Sequence, residues 1–264
     1  GAGDNSNDLT VSSFSIGTVT DIAGNAMAST AVPDTNIASG SAIVIDTTAP
    51  TVSGVEITDG AGKQNNFLNV GDNVSVTVTF SENSPVTGTP QLTLAVGDDN
   101  RTADYTSSGS GDTTKVFKYT IRAGDTDSNG ISIRADALAL DNGTIMDLAE
   151  NNAYLTHSVV DNNSSYKVDT TPPSVDNFTL SDTALKAGDN ATVTLVFSEA
   201  VCTVSSDCSG IVFSSAADIT ADNGTLSTMT SDNNDNETWR GTFTPTPNTE
   251  DDNNTLSLAN SYTD

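Results

Sequence analysis

Apolar and polar residues alternate in short runs along most of this chain, which is the pattern of a half-buried β-strand. In the middle of the sequence the runs predict strands at Val52–Thr58, Val74–Phe80, Gln91–Val96, Thr102–Thr106, Lys115–Ile121, Ile131–Leu140 and Tyr154–Val168. Turns rich in Gly, Asp, Asn and Ser separate these runs, and no segment has the period of an amphipathic helix. Short strands with regularly spaced turns are typical of an antiparallel sandwich of two sheets. We therefore predict an all-β fold.

Two parts of this pattern occur twice. The segment at 45–50, Ile-Asp-Thr-Thr-Ala-Pro, returns at 168–173 as Val-Asp-Thr-Thr-Pro-Pro. The strand at 73–82, which ends in Phe-Ser-Glu, returns at 190–199 with the same ending. Recurrence of ordered motifs indicates a repeat array. Because proline fixes one φ angle and biases the residue before it to extended geometry, we interpret the Asp-Thr-Thr-x-Pro segments as short, stiff joints between repeats.

The joints divide the chain into three parts. Residues 49–171 hold a full set of strands and are predicted to form a complete sandwich repeat. Residues 1–48 match the closing strands of such a repeat, and residues 172–264 match a repeat that lacks its last strand. We expect the sequence to be a section of a longer array.

The net charge of −26, from 35 acidic and 9 basic residues, argues against nucleic acid or an anionic membrane as a partner, since both need clustered Lys and Arg. It leaves metal cations as the natural counter-charge; the alternative is that the acidity only keeps the protein soluble. No run of apolar residues is long enough to span a bilayer, and there is no initiator Met or signal peptide. The single histidine, His157, has no nucleophile motif near it, so we expect no enzymatic activity.

The two cysteines, Cys202 and Cys208, lie close together without further Cys or His, which argues against a zinc site. A local disulfide that pins one loop is the preferred interpretation, and two free thiols are the alternative. A disulfide would indicate an oxidising compartment.

The ordered motifs resemble those of bacterial Ig-like repeats in giant secreted adhesins, including the RTX type. Besides the joints and the Phe-Ser-Glu strands, the resemblance rests on a Thr-Asp-x-Ala-Gly-Asn turn. This turn is intact at 20–25, altered at 146–151 and cut short at 263–264. The resemblance implies tandem Ig-like sandwiches in an extracellular stalk, with calcium bound at the joints. At 146–151 the sequence departs from the pattern because Glu150 replaces the glycine, which questions the backbone geometry of that turn.

The alternating direction of strands in a sandwich sorts the acidic residues into two poles. At the first joint we expect Asp4, Asp8, Asp46, Glu82 and Asp147 to meet. At the second joint we expect Asp72, Asp125, Asp127, Asp169, Glu199 and Asp264 to meet. So many carboxylates repel one another unless a cation holds them, and Ca²⁺ accepts six to eight oxygen ligands in flexible geometry. The alternative is that each Asp is a solvated turn former.

The leading hypothesis is a structural extender of a secreted or cell-surface adhesin or fibre, made rigid by Ca²⁺. Its expected partners are the neighbouring repeats of the same long chain, and head-to-tail self-assembly through the incomplete ends is a further possibility. The alternative hypothesis is a binding module for a glycan or protein, which would use the Cys202–Cys208 loop and the acidic loop at 231–236.

Overall fold

The computed structural model describes residues 3, 5–15, 17–40, 42–109, 112–201 and 213–259. Four predicted site residues, Asp4, Cys202, Cys208 and Asp264, lie outside this part of the chain. The described residues form an all-β sandwich fold, as predicted. The described helices are single turns, α1 (Ile37–Gly40) and α2 (Ser215–Asp218), and none of them is long and apolar enough to cross a membrane.

The chain packs into two compact units, which we describe separately. The first contains residues 1–59, 74–119 and 131–162, and the second contains residues 60–73, 120–130 and 163–264. The repeat boundaries that the motifs indicate, after residues 48 and 171, stay a prediction.

A six-stranded sheet dominates the first unit. Between residues 52 and 168 the strands of both units are, in chain order, β1 (Val52–Ala61), β2 (Phe67–Leu68), β3 (Asn73–Phe80), β4 (Val86–Thr87), β5 (Gln91–Val96), β6 (Asp99–Ser108), β7 (Thr114–Thr120), β8 (Leu138–Ala139), β9 (Thr144–Ile145) and β10 (Lys167–Val168). In space the sheet order is β1-β3-β7-β6-β5-β8, and β4 pairs with β9. The five longest strands of this sheet match the predicted positions within a few residues, and in β3 and β7 burial alternates along the whole strand. In β3, for example, every second side chain is buried: Val74, Val76, Val78 and Phe80.

The second unit contains β2 and β10, which pair in parallel, and a smaller sandwich. The sandwich strands are β11 (Val175–Leu180), β12 (Ala191–Phe197), β13 (Ile219–Ala221), β14 (Gly224–Leu226), β15 (Thr230–Ser231), β16 (Thr238–Pro245) and β17 (Leu256–Leu258). One sheet has the order β11-β12-β16-β14, with β15 also on β16, and β13 pairs with β17.

Trp239 lies in the core of this sandwich, as predicted. Its ring packs edge-to-face on Phe213, with 5.0 Å between ring centroids, and its indole Nε1 donates to the Asn236 carbonyl oxygen at 3.1 Å. The indole therefore buries apolar area while its one polar group is satisfied.

The last two predicted strands of the middle segment are largely irregular. Of the range 131–140 only β8 is a regular strand, and of the range 154–168 only β10 is. Asp136, at φ +57°, interrupts the first of these runs. Here side chains replace ladder bonds, since Asp136 Oδ1 accepts from the His157 amide at 3.0 Å and His157 Nε2 accepts from the Ala137 amide at 2.9 Å. The prediction of two continuous strands was therefore wrong in detail.

Lys115 is a buried cation on the core face of β7. Its Nζ donates to the Asp112 carbonyl oxygen at 2.6 Å and lies 3.6 Å from Asp112 Oδ1, and its side chain is fully buried. Burial lowers the pKa of Lys115, and the charge of Asp112 partly offsets that effect. Because the same Asp112 carbonyl also accepts from the Ser84 amide at 3.0 Å, it keeps a partner if Lys115 is removed.

We predict that Lys115→Met leaves the free energy of unfolding unchanged or raises it by about 1 kcal/mol, because an apolar chain of similar volume needs no desolvated charge. A folded pKa below the unfolded value makes stability rise with pH between the two values. The part of this rise in stability that comes from Lys115 should be absent in Lys115→Met. Urea unfolding at neutral and alkaline pH measures both effects. A loss of more than roughly 3 kcal/mol would show instead that the ammonium is required.

Candidate metal centre

A hydrogen-bonded turn at residues 147–151 forms one side of the candidate site. Asp147 Oδ1 accepts from the amides of Ala149 and Asn151, both at 2.8 Å, and Asn151 Nδ2 donates to Asp147 Oδ2 at 2.8 Å. Asp147 is 6% exposed. The carboxylate is therefore held in one orientation by its own turn, before any ligand is considered.

The same turn occurs at residues 21–25. Asn25 donates its amide to Asp21 Oδ1 and its side-chain Nδ2 to Asp21 Oδ2, both at 2.8 Å. Gly24 has φ +84° in this copy, and Glu150 occupies the corresponding position with φ +66°. The substitution of glycine by Glu150 has thus not changed the turn, and Glu150 adopts a left-handed conformation that L-residues rarely take.

The joint segment supplies the second side of the site. Asp46 Oδ1 accepts from the Thr48 amide at 3.0 Å, and the Asp46 carbonyl oxygen accepts from Asn151 Nδ2 at 3.1 Å. Asn151 therefore ties the joint to the 147–151 turn. Sequence reasoning missed this role of Asn151, although the Asp-x-x-x-Asn spacing shared by 21–25 and 147–151 was a usable signal.

Glu82 supplies the third side, two residues after the end of β3. Its neighbour Ser81 fixes the start of β1, since the Ser81 amide donates to the Thr51 carbonyl at 2.8 Å and the Thr51 amide donates to Ser81 Oγ at 3.0 Å. The second unit repeats this exchange between Ser198 and Ser174, at 2.8 Å and 2.9 Å. The Phe-Ser-Glu ending therefore places its glutamate beside the joint.

Asp46, Glu82 and Asp147 each place one carboxylate oxygen within 4.8 Å of the others. Within the described ranges, this is the one group of three such side chains close enough to share an ion. Burial, and then the negative charges of Asp46 and Asp147, raise the pKa of Glu82. The cluster thus carries uncompensated negative charge, and its all-oxygen donor set fits a hard divalent cation.

The residues predicted for the second joint form tight turns. The buried Asp125 accepts through Oδ2 from the Arg122 amide at 2.9 Å, and the buried Asp127 accepts through Oδ1 from the Gly130 amide at 2.7 Å. Asp72 and Asp169 likewise accept backbone amides, from Asn69 at 2.8 Å and Thr171 at 3.0 Å. A metal-binding role for these residues, and for Glu199, stays a prediction.

Only some of the residues predicted for the first joint lie close together. Asp8 is exposed, and its Oδ1 accepts a long hydrogen bond of 3.4 Å from the Ile43 amide. It is not part of the group formed by Asp46, Glu82 and Asp147. Its predicted part in a metal site remains untested.

Residues 169–264 match the family model of the bacterial Ig-like domain. Bacterial Ig-like domains are structural or adhesive modules of surface proteins and not enzymes. No curated protein matches the chain. The matched Ig-like segment starts at the joint residue Asp169, whose hydrogen bond to Thr171 repeats that of Asp46 to Thr48.

We predict that Glu150→Gly raises the free energy of unfolding by about 0.5–1 kcal/mol, because glycine adopts the left-handed conformation without a Cβ penalty. Glu150→Ala is the matched control, since it removes the same charge but keeps the Cβ. Urea unfolding compares the two. An equal gain in both variants would assign the effect to charge instead of backbone strain.

A second prediction concerns pH in the presence of a chelator. Because the pKa of Glu82 is raised in the fold, the unfolding free energy should fall as pH rises from the unfolded pKa through the folded pKa. Glu82→Gln cannot ionise, so it should lose this fall and be more stable than the parent at neutral pH. The exposed Glu56 offers the same chemical change as a control. A parallel pH profile in Glu82→Gln and the parent would contradict the assignment.

Proposed function

We propose that this chain is a structural extender, or stalk, of an extracellular bacterial adhesin or surface fibre, and that Ca²⁺ bound at its joints makes it rigid. The observation that supports this most is the approach of joint residue Asp46 to Glu82 and Asp147, within 4.8 Å. The joint and the end of the adjacent sandwich thereby share one candidate ion site. The neighbouring repeats of the same long chain are its partners.

Calcium suits this donor set better than magnesium. Ca²⁺ takes carboxylate and carbonyl oxygens in flexible geometry, whereas Mg²⁺ keeps several waters and requires a near-ideal octahedron. Asp147 already uses its oxygens for three hydrogen bonds within the turn, so its approach to an ion is fixed by the protein. A tolerant cation accommodates such fixed ligands.

The mechanism is linkage between ion binding and joint geometry. Without an ion, the like charges of Asp46, Glu82 and Asp147 oppose the close approach of the joint. An ion that binds only this arrangement stabilises it by mass action, in proportion to the logarithm of the ion concentration. Because the joint is short and its proline restricts the backbone, the bound ion then fixes the direction in which the chain leaves the joint.

The second joint is proposed to work in the same way. Asp169 and Glu199 occupy the places of Asp46 and Glu82 in the repeated motifs, and Asp264 occupies the place of Asp147. The turn residues Asp72, Asp125 and Asp127 surround this joint in the predicted strand order. Support here comes from the recurrence of the motifs and from the repeated Ser198–Ser174 and Asp169–Thr171 contacts.

Small-angle scattering during a calcium titration tests the proposal. We expect the maximum dimension of the chain to increase from chelator to millimolar Ca²⁺, and not with Mg²⁺. Glu82→Gln should weaken the calcium response by roughly tenfold or more, because calcium affinity depends on the number of charged ligands. Glu56→Gln should titrate like the parent.

An unchanged scattering profile, together with no binding heat in calorimetry, would contradict the calcium-dependent stalk. The carboxylates would then be ordinary turn formers, and the binding-module hypothesis would take precedence. Binding heat without a change in dimensions would support the ion site. It would contradict the proposal that the ion makes the chain rigid.

A further inference from the structure

The side chain of the first threonine in the second joint holds that joint to an earlier loop. Thr170 Oγ1 accepts from the Gly124 amide at 3.1 Å and donates to the Asp125 carbonyl oxygen at 2.9 Å. Two residues before this threonine, Val168 exchanges both backbone hydrogen bonds with Asp127, at 2.8 Å and 2.9 Å. Because a hydroxyl group both donates and accepts, one side chain completes the attachment of the joint to this loop.

The first joint repeats this pattern with its own residues. Thr47 Oγ1 accepts from the Gly3 amide and donates to Asn5 Oδ1, both at 2.9 Å. Ile45 and Ser6 exchange both backbone hydrogen bonds at 2.8 Å. The spacing is the same in both joints, since the threonine follows the exchanging residue of the joint by two positions and the glycine precedes that of the loop by three. The attachment is therefore a recurring feature of the joint and not a local accident.

A different pair of contacts holds the chain on the far side of the second joint. The Ser198 amide donates to the Ser174 carbonyl oxygen at 2.8 Å, and the Ser174 amide donates to Ser198 Oγ at 2.9 Å. Only the three residues 171–173, Thr-Pro-Pro, lie between Thr170 and Ser174. Each proline fixes its own φ angle, so few backbone torsions in this stretch can rotate.

We propose that Thr47 and Thr170 are positioning residues, which hold each joint on the loop before it without an ion, and that residues 171–173 are the hinge of the second joint. The hydrogen bonds of the two threonines use hydroxyl, backbone and amide groups and no carboxylate. The candidate ion site joins Asp46 to residues that follow the joint, whereas the threonine joins the joint to residues that precede it. The inference rests on the proposed stalk for its purpose, because a stalk bends least when both sides of a joint are held.

Thr170→Val tests the attachment, because valine keeps the branched shape of threonine and lacks the hydroxyl group. In the whole chain with a chelator, hydrogen exchange of the Gly124 amide should accelerate by roughly fivefold, as expected for one lost hydrogen bond. If the hydroxyl group positions the joint, the amides of Asp127 and Val168 should accelerate by a similar factor, since this segment then opens more often. Acceleration at Gly124 alone, or no acceleration, would overturn the proposal.

Two further variants separate the hydroxyl group from other effects of substitution. Thr171→Val is the matched control, since Thr171 is exposed and binds Asp169 Oδ1 through its backbone amide, which valine retains. It should exchange like the parent, and Thr170→Ser, which keeps a hydroxyl group, should do so too. Circular dichroism checks folding, and Thr47→Val replaces Thr170→Val at the first joint if that variant does not fold. Equal acceleration by Thr171→Val would contradict a specific role of Thr170.

Small-angle scattering in chelator tests the position of the hinge. Pro172→Gly frees one φ angle within residues 171–173, so the radius of gyration should fall as the chain samples bent arrangements. Pro247→Gly makes the same change in an exposed turn and should leave the radius of gyration unchanged. No decrease in Pro172→Gly, or an equal decrease in both variants, would overturn the hinge assignment.

These measurements are made without calcium, so they are independent of the calcium titration. A failed calcium response with accelerated exchange in Thr170→Val would contradict the ion site and support the attachment. The opposite pair of results would support the ion site and overturn the attachment.

Discussion

The repulsion among three carboxylates is the constraint on which the joint depends. Asp46, Glu82 and Asp147 are brought within 4.8 Å of one another by separate parts of the chain. Burial, and then the charges of Asp46 and Asp147, raise the pKa of Glu82. The backbone hydrogen bonds of the joint, of the Phe-Ser-Glu ending and of the 147–151 turn together oppose the repulsion. A bound divalent cation would attract all three carboxylates, so that the ion and these hydrogen bonds would stabilise the same arrangement.

Positioning and charge are carried by different groups in this site. Asn151 and the amides around it orient Asp147 and hold the Asp46 carbonyl, and none of these groups is ionised. The three carboxylates contribute the charge. Because the orienting bonds are made within a short turn, little conformational entropy would be lost on binding an ion, which is the advantage of a preorganised site.

The sequence was informative wherever local pattern and burial coincide. The alternation in β1, β3, β5, β6 and β7 located these strands, and strand direction alone placed Glu82 and Asp147 at one pole. The sequence pattern did not predict the irregular backbone at 131–140 and 154–168. There the side chains of Asp136 and His157 accept hydrogen bonds from backbone amides, and periodicity does not reveal such bonds. It also missed the buried Lys115, because a lysine in an alternating strand is normally assigned to the solvent face. At the second joint, motif counting could not show that Asp125 and Asp127 accept amides of their own turns.

The left-handed conformation of Glu150 has a consequence for how this turn can be recognised. The aspartate and the asparagine at its ends make the defining hydrogen bonds in both copies, whereas the position with positive φ accepts glycine in one copy and glutamate in the other. The glycine is therefore a preference of conformation and not a requirement of the turn. A search for related repeats that demands this glycine would discard true members, and a pattern that keeps only the aspartate and the asparagine four residues later would retain them.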